Sequence, residues 1–171
     1  MSVQKVLDFW FNEQHQAFWF SKDDDFDLKI RENFTELHQQ ATLGELWQWR
    51  DSAEGRLAEV IVLDQFSRNL YRNDAKAFAF DSMALVLAQE LIHLGLDKIL
   101  SHQQRHFAYL PFMHSESLLI HQQAIVLFKS LPNPQALDFE YKHLEIIQRF
   151  GRYPHRNQVL SRTSTAEEIE F

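Results

Sequence analysis

The stretch Val60-Ile61-Val62-Leu63-Asp64-Gln65-Phe66-Ser67-Arg68-Asn69-Leu70 decides the fold. Coiled as a helix, its apolar side chains point in nearly every direction, and a helix that is apolar all round lies inside a protein. Ser52 is a good cap for its start and Asn73-Asp74 a break at its end, so the helix is expected from Ser52 to about Tyr71. Asp64, Gln65, Arg68 and Asn69 are set into this apolar run. Leu57, Ile61, Asp64 and Arg68 share one face, and Asp64 and Arg68 are four residues apart, so they can pair directly. A buried charge has to be paired or hydrogen-bonded, because an orphaned one costs several kcal/mol. The pair reads either as a structural pin between helices or as part of a site.

Outward from this helix the same period recurs. Ser2 caps a first helix with Val3, Val6, Leu7, Trp10 and Phe11 on one face. Asp23-Asp24-Asp25 place negative charge at the start of a second helix, with Phe26, Ile30, Phe34 and Leu37 or His38 as its buried stripe, and Gly44 either ends it or starts a short helix through Leu46-Trp47. After the central helix, a fourth is expected from about Ala75 to Leu94, stopped by Gly95, followed by a short one over Ser101–Tyr109. Pro111 suits the first position of the next, which runs to about Leu131. That helix would carry His114, Leu118, His121 and Ile125 on one face. Pro132-Asn133-Pro134 is the clearest turn. A helix over Gln135–Phe150 ends at Gly151, a loop with one helical turn covers Arg152–Arg162, and Ser164 with Glu167 makes a capping box for a last turn. The expectation is an all-α, single-domain antiparallel array of about seven helices spanning residues 1–171.

Composition agrees. A chain of 171 residues with 45% hydrophobic residues and fifteen Phe has ample core, while four Gly and four Pro are too few turn residues for a many-stranded β fold. Cysteine is absent, which excludes disulfides and thiolate-bound zinc. The start shows no secretory pattern and no run approaches the ~18 apolar residues of a membrane span, so a cytoplasmic location and no membrane partner are expected. The net charge of −7 argues against general nucleic-acid binding. Charge is uneven, however. Between Ile146 and Ala166 there is no acid, yet Arg149, Arg152, Arg156 and Arg162 all occur.

Three segments carry chemistry. Asp64, Arg68 and Asn69 lie on the central helix. His114 and Glu116 open another, where His114 is either a core histidine bonded to a carboxylate or a general acid or base near neutral pH. His114 and His121 are two turns apart, too far for easy chelation, so no metal site and no cofactor is expected. Last comes Arg149-Phe150-Gly151-Arg152-Tyr153-Pro154-His155-Arg156-Asn157. Arginine is a planar five-donor fork suited to carboxylate and phosphate. Arg149, Arg152 and Arg156, with His155 and Asn157, either converge on one anion or answer the protein's own acids.

Val6-Leu7-Asp8-Phe9-Trp10-Phe11, Asp64-Gln65-Phe66-Ser67-Arg68-Asn69-Leu70-Tyr71-Arg72, Pro111-Phe112-Met113-His114-Ser115-Glu116 and Arg149–Asn157, in this order along nearly the whole chain, resemble the bacterial family known as domain of unknown function 924. Arg162-Thr163-Ser164-Thr165-Ala166-Glu167-Glu168 fits it too. The resemblance implies an all-α fold of the tetratricopeptide-like superfamily. It implies no known activity and transfers no catalytic residue.

The functional expectation is a pocket for an anionic small molecule. Arg149, Arg152 and Arg156 would hold the anion, Arg68, Asn69 and Asn157 would orient it, and Asp64, His114, Glu116 and His155 would supply acid–base capacity. The alternative is a tetratricopeptide-like module that grips a peptide or protein, with these polar residues as structural pins.

Overall fold

The computed structural model describes residues 2–171 and, among them, nine α-helices and no strand. They are α1 Val3–Trp10, α2 Asp24–Thr42, α3 Ala53–Ile61, α4 Ser67–Leu70, α5 Asp81–His93, α6 His102–Met113, α7 Leu118–Lys129, α8 Pro134–Phe150 and α9 Ala166–Glu170. A π-helical turn, Val62–Phe66, joins α3 to α4, so the central helix is continuous. Ser52 caps α3 by accepting from the Gly55 N–H, as the sequence suggested. Asp23 caps α2 in the same way through Phe26. Gly44, Gly95 and Gly151 follow α2, α5 and α8 in the left-handed backbone region that terminates helices.

The central helix is the hub. Leu57, Val60, Ile61, Val62, Leu63 and Phe66 are fully buried, because α1, α2, α5 and α6 surround the helix. Aromatic rings fill the space beside it: Trp10 lies edge-on to Phe66 at 5.7 Å and to Phe107 at 5.4 Å, and Phe34 packs on Phe66 at 4.8 Å. α6, α7 and α8 pack successively on one another, joined by short links.

Three expectations are corrected. The fourth helix does not begin at Ala75: a 3₁₀ turn, Ala75–Ala77, comes first and α5 starts at Asp81. Pro111 does not open a helix but lies inside the last turn of α6. Ser101 and Gln104 form a capping box that fixes where α6 starts, and the helix runs through Pro111 although proline has no N–H to donate to the carbonyl four residues back. His114 is therefore the C-cap of α6 while His121 stands on α7, so the two histidines share no helix face. The final capping box is formed by Thr165 and Glu168, one residue beyond the expected pair.

His121 and Glu140 tie α7 to α8, both 0% exposed. The imidazole Nδ1 lies 2.6 Å from Glu140 Oε1, and Nε2 lies 2.8 Å from the Ser115 carbonyl. Arg149–Glu167 is the opposite kind of pair, with side chains 48% and 60% exposed. Removing one member of a buried pair strands the other charge, whereas an exposed pair is screened by water. In urea unfolding, His121→Ala is expected to cost about 3–5 kcal/mol. Arg149→Ala is expected to stay within about 0.5 kcal/mol of the parent.

Candidate functional site

The site begins at the π-helical turn. One residue too many in a helical turn widens it and shifts the side chains that follow, and such turns often mark functional positions. Here the turn carries Asp64, 1% exposed, and Gln65. The Asp64 carboxylate takes two side-chain hydrogen bonds and one ion-pair contact. Gln65 Nε2 donates to Oδ2, and His114 Nδ1 and an Arg68 terminal nitrogen approach Oδ1 at 2.7 and 3.0 Å. Burial alone would raise this carboxyl, but the Arg68 charge and the contact with His114 outweigh it and hold it at about 2. Asp64 is thus ionised.

His114 is placed by the C-cap of α6, which carries it beyond the last turn toward the central helix. A carboxylate can only accept, so Nδ1 carries the proton and Nε2 the lone pair. Burial, reinforced by Arg68, lowers the imidazole from its usual value, with Asp64 opposing. The ring is neutral at neutral pH: an imidazole in one tautomer, aligned by an anion.

Arg68 links this pair to Asp81, the first residue of α5. It holds the Asp81 carboxylate with both terminal nitrogens at 2.9 Å and also donates to the Asp64 carbonyl at 2.8 Å. Arg156 reaches Asp81 from the other side at 3.3 Å and donates to the His114 carbonyl at 3.0 Å. Its guanidinium lies between the Phe78 and Tyr153 rings, 4.5 and 4.6 Å from their centres. Arg156 Nε is buried with no partner among the described residues. Burial works against the Arg156 charge, and Asp81 compensates it only in part.

A hollow of about 260 Å³ opens beside these groups, walled by Phe78, Asp81, Ser82, His114, Glu116 and Arg156. A second, also about 260 Å³, shares His114 as a lining residue; Phe20, Leu110, Met113 and Phe139 line it together with His106 and His143. Among the described residues, no three His, Asp or Glu side chains are grouped as metal ligands.

The remaining predicted residues scatter, and the expected convergence on one anion is corrected. Glu116 borders the first hollow, but its carboxylate accepts from the Tyr153 N–H and from both terminal nitrogens of Arg162, which lower it despite burial. It fastens the loop between α8 and α9 and stays ionised. Arg152 clasps Glu168 at 2.6 and 2.8 Å, and Arg149 pairs with Glu167 at the surface. Asn157 is buried between Arg162 and Ser164. His155 is exposed and borders neither hollow. Asn69 belongs to a separate cluster, donating to Asp27, which also takes Arg72. Arg149 and Arg152 met acids of the protein itself, Glu167 and Glu168, which the late turn of the chain supplied. Sequence reasoning missed Asp81, Gln65 and Arg162 as partners. Asp81 carried one signal, an acid beside the aromatic residues Phe78 and Phe80, where a helix start was not sought.

Fold and site together define an all-helical protein built round a buried carboxylate–imidazole–guanidinium network. The chain belongs to the family described as bacterial protein of unknown function, DUF924, whose profile matches residues 6–171. A solved structure of a protein of unknown function from Agrobacterium tumefaciens is similar over 98% of this chain and 94% of that one, with 38% identity and a TM-score of 0.93. No curated protein matches. Among the described residues, no helix is long and apolar enough to cross a membrane.

Buried neutral histidines give the stability a pH signature. Burial lowers His38 and His106 from 6.5 to about 4. Between these values the unfolded chain binds protons that the folded protein refuses, so stability is complete above pH 6.5 and falls as pH drops toward 4. Below that, Asp64, held at about 2 against 3.8, continues the loss. Urea midpoints measured across this range should decline steadily. His38→Gln, which keeps a donor for the Ser67 hydroxyl, should flatten the slope above pH 4; an unchanged slope would show that His38 does not contribute.

Proposed function

We propose that this protein binds a small molecule beside His114 and uses that imidazole as a general base. The observation that carries the reading is the Asp64–His114 contact of 2.7 Å, which fixes the ring with its lone pair on the other nitrogen, in a residue that lines two hollows. A base needs to be unprotonated, oriented and within reach of its substrate's proton. Asp64 orients and Arg68 keeps Asp64 ionised, so both are positioning residues. Arg156 borders the first hollow, and its guanidinium is the cationic group there that could meet an acceptor on the ligand, including a carboxylate or phosphate oxygen. The anion reading therefore rests on Arg156 alone. Glu116 and Arg162 shape the loop.

A second reading has one observation in its favour. α5 and α7 leave a groove of about 580 Å³ lined by Ile92, Leu119 and Val126, with Leu119 and Val126 64% and 68% exposed. Such a groove suits the peptide-gripping module that a tetratricopeptide-like array would provide.

Thermal unfolding across a panel of small metabolites separates the two. Under the first reading, some member raises the Tm of the parent at neutral pH, the rise fades as pH falls below 6.5, and His114→Gln abolishes it while remaining folded. If the rise survives His114→Gln but Val126→Asp removes it, the groove is the binding site. Arg152→Ala, remote from both places, should leave every response intact.

A further inference from the structure

The hollow on the other side of His114 has a chemistry of its own. Four of its walls are apolar: Phe20, Leu110, Met113 and Phe139. No Asp, Glu, Lys or Arg borders it. Its polar groups are the imidazoles of His106, His114 and His143, and their hydrogen bonds decide what each has left to offer. His143 Nδ1 lies 2.7 Å from the Phe139 carbonyl, which can only accept, so Nδ1 bears the proton and Nε2 the lone pair. His114 is fixed the same way by Asp64. His106 Nε2 is buried with no hydrogen-bond partner among the described residues. Burial lowers all three imidazoles, so all are neutral at pH 7. Two of the imidazoles that border the hollow, His114 and His143, therefore keep an unprotonated Nε2.

Size narrows the occupant. An engineered apolar cavity of about 150 Å³ holds benzene. At about 260 Å³ this hollow has room for one ring with a substituent. Phe20 stands beside it 70% exposed, its ring 5.9 Å from that of His106, an apolar face that a planar guest would cover.

We propose that this hollow binds an uncharged, ring-sized molecule that donates a hydrogen bond, of the phenol class, with its hydroxyl given to the imidazoles of His106, His114 or His143. The proposal rests on His114 as the working base and names the kind of molecule it serves. A charged aromatic acid finds no counter-charge there, and toluene leaves the imidazole lone pairs unanswered.

Phenol, toluene and benzoate titrated into the full chain, followed by NMR shifts of the Leu110 and Met113 methyl groups, test it. Phenol is expected to shift both signals and to bind about tenfold more tightly than toluene, with benzoate weakest. His106→Leu and His143→Phe should each weaken phenol relative to the parent, and the double variant should bring it toward the toluene level with toluene unchanged or improved. Should the double variant not fold, the single variants and the ranking of the three probes on the parent carry the test. Equal binding of phenol and toluene, preference for benzoate, no binding at millimolar probe, or shifts confined to other residues would overturn the proposal. The two readings fail separately. If phenol binds as described and Asp64→Asn changes nothing, the hollow stands and the oriented base falls; if no probe enters, the hollow falls and the base is still judged by the metabolite panel.

Discussion

An ionised carboxylate at the centre of an apolar helix is the constraint from which the rest follows. Asp64 has no water to lean on, so Arg68, His114 and Gln65 must all turn toward it. Arg68 in turn needs Asp81 to balance its charge, and Asp81 draws Arg156 across from the loop after α8. One buried charge thus ties the central helix, the start of α5, the end of α6 and the C-terminal loop. Such networks seldom raise stability: attraction in the interior roughly offsets desolvation, and well-packed apolar replacements are often neutral or stabilising by about 1–4 kcal/mol. This network is seated on a π-helical turn and borders a hollow.

The helices were legible because burial imposes a period on sequence. The central span could be read from Val60 to Leu70 since no face of it was polar, and Ser52, Asp23, Gly95 and Gly151 punctuate helices through their own hydrogen bonds or backbone freedom. Boundaries failed where two local signals competed. Pro111 looked like a start, yet the capping box at Ser101 had already committed the chain to a helix that contains it. Ser164 and Thr165 are both able caps, and the choice fell to Thr165, whose partner Glu168 also meets Arg152.

The candidate site was only half legible, for a different reason. Residue type tells what a side chain can bond, but not which partner the fold will bring. Asp64 and Arg68 are neighbours on one helix, so their pairing followed from spacing. Arg149, Arg152 and Asn69 looked equally available, and each was claimed by an acid distant in sequence: Glu167, Glu168 and Asp27. His114 met Asp64 because α6 ends where it does, one residue earlier in the chain. Arg156 alone of the three arginines expected to hold an anion borders the first hollow.

Placing His114 at a helix end rather than within a helix gives it two exposures. Its backbone carbonyl anchors Arg156 on the polar side, while its ring shares a wall with His106 and His143 on the apolar side. A ligand bridging these sides would meet the imidazole between a hydrogen-bonding end and an apolar body. The claim on which all of this depends is the protonation pattern of a single ring. Long-range proton–nitrogen NMR of the imidazoles at pH 7 reads it directly. The account predicts His114 protonated at Nδ1 with a bare Nε2; a doubly protonated ring, or a proton on Nε2 with Nδ1 bare, would contradict it.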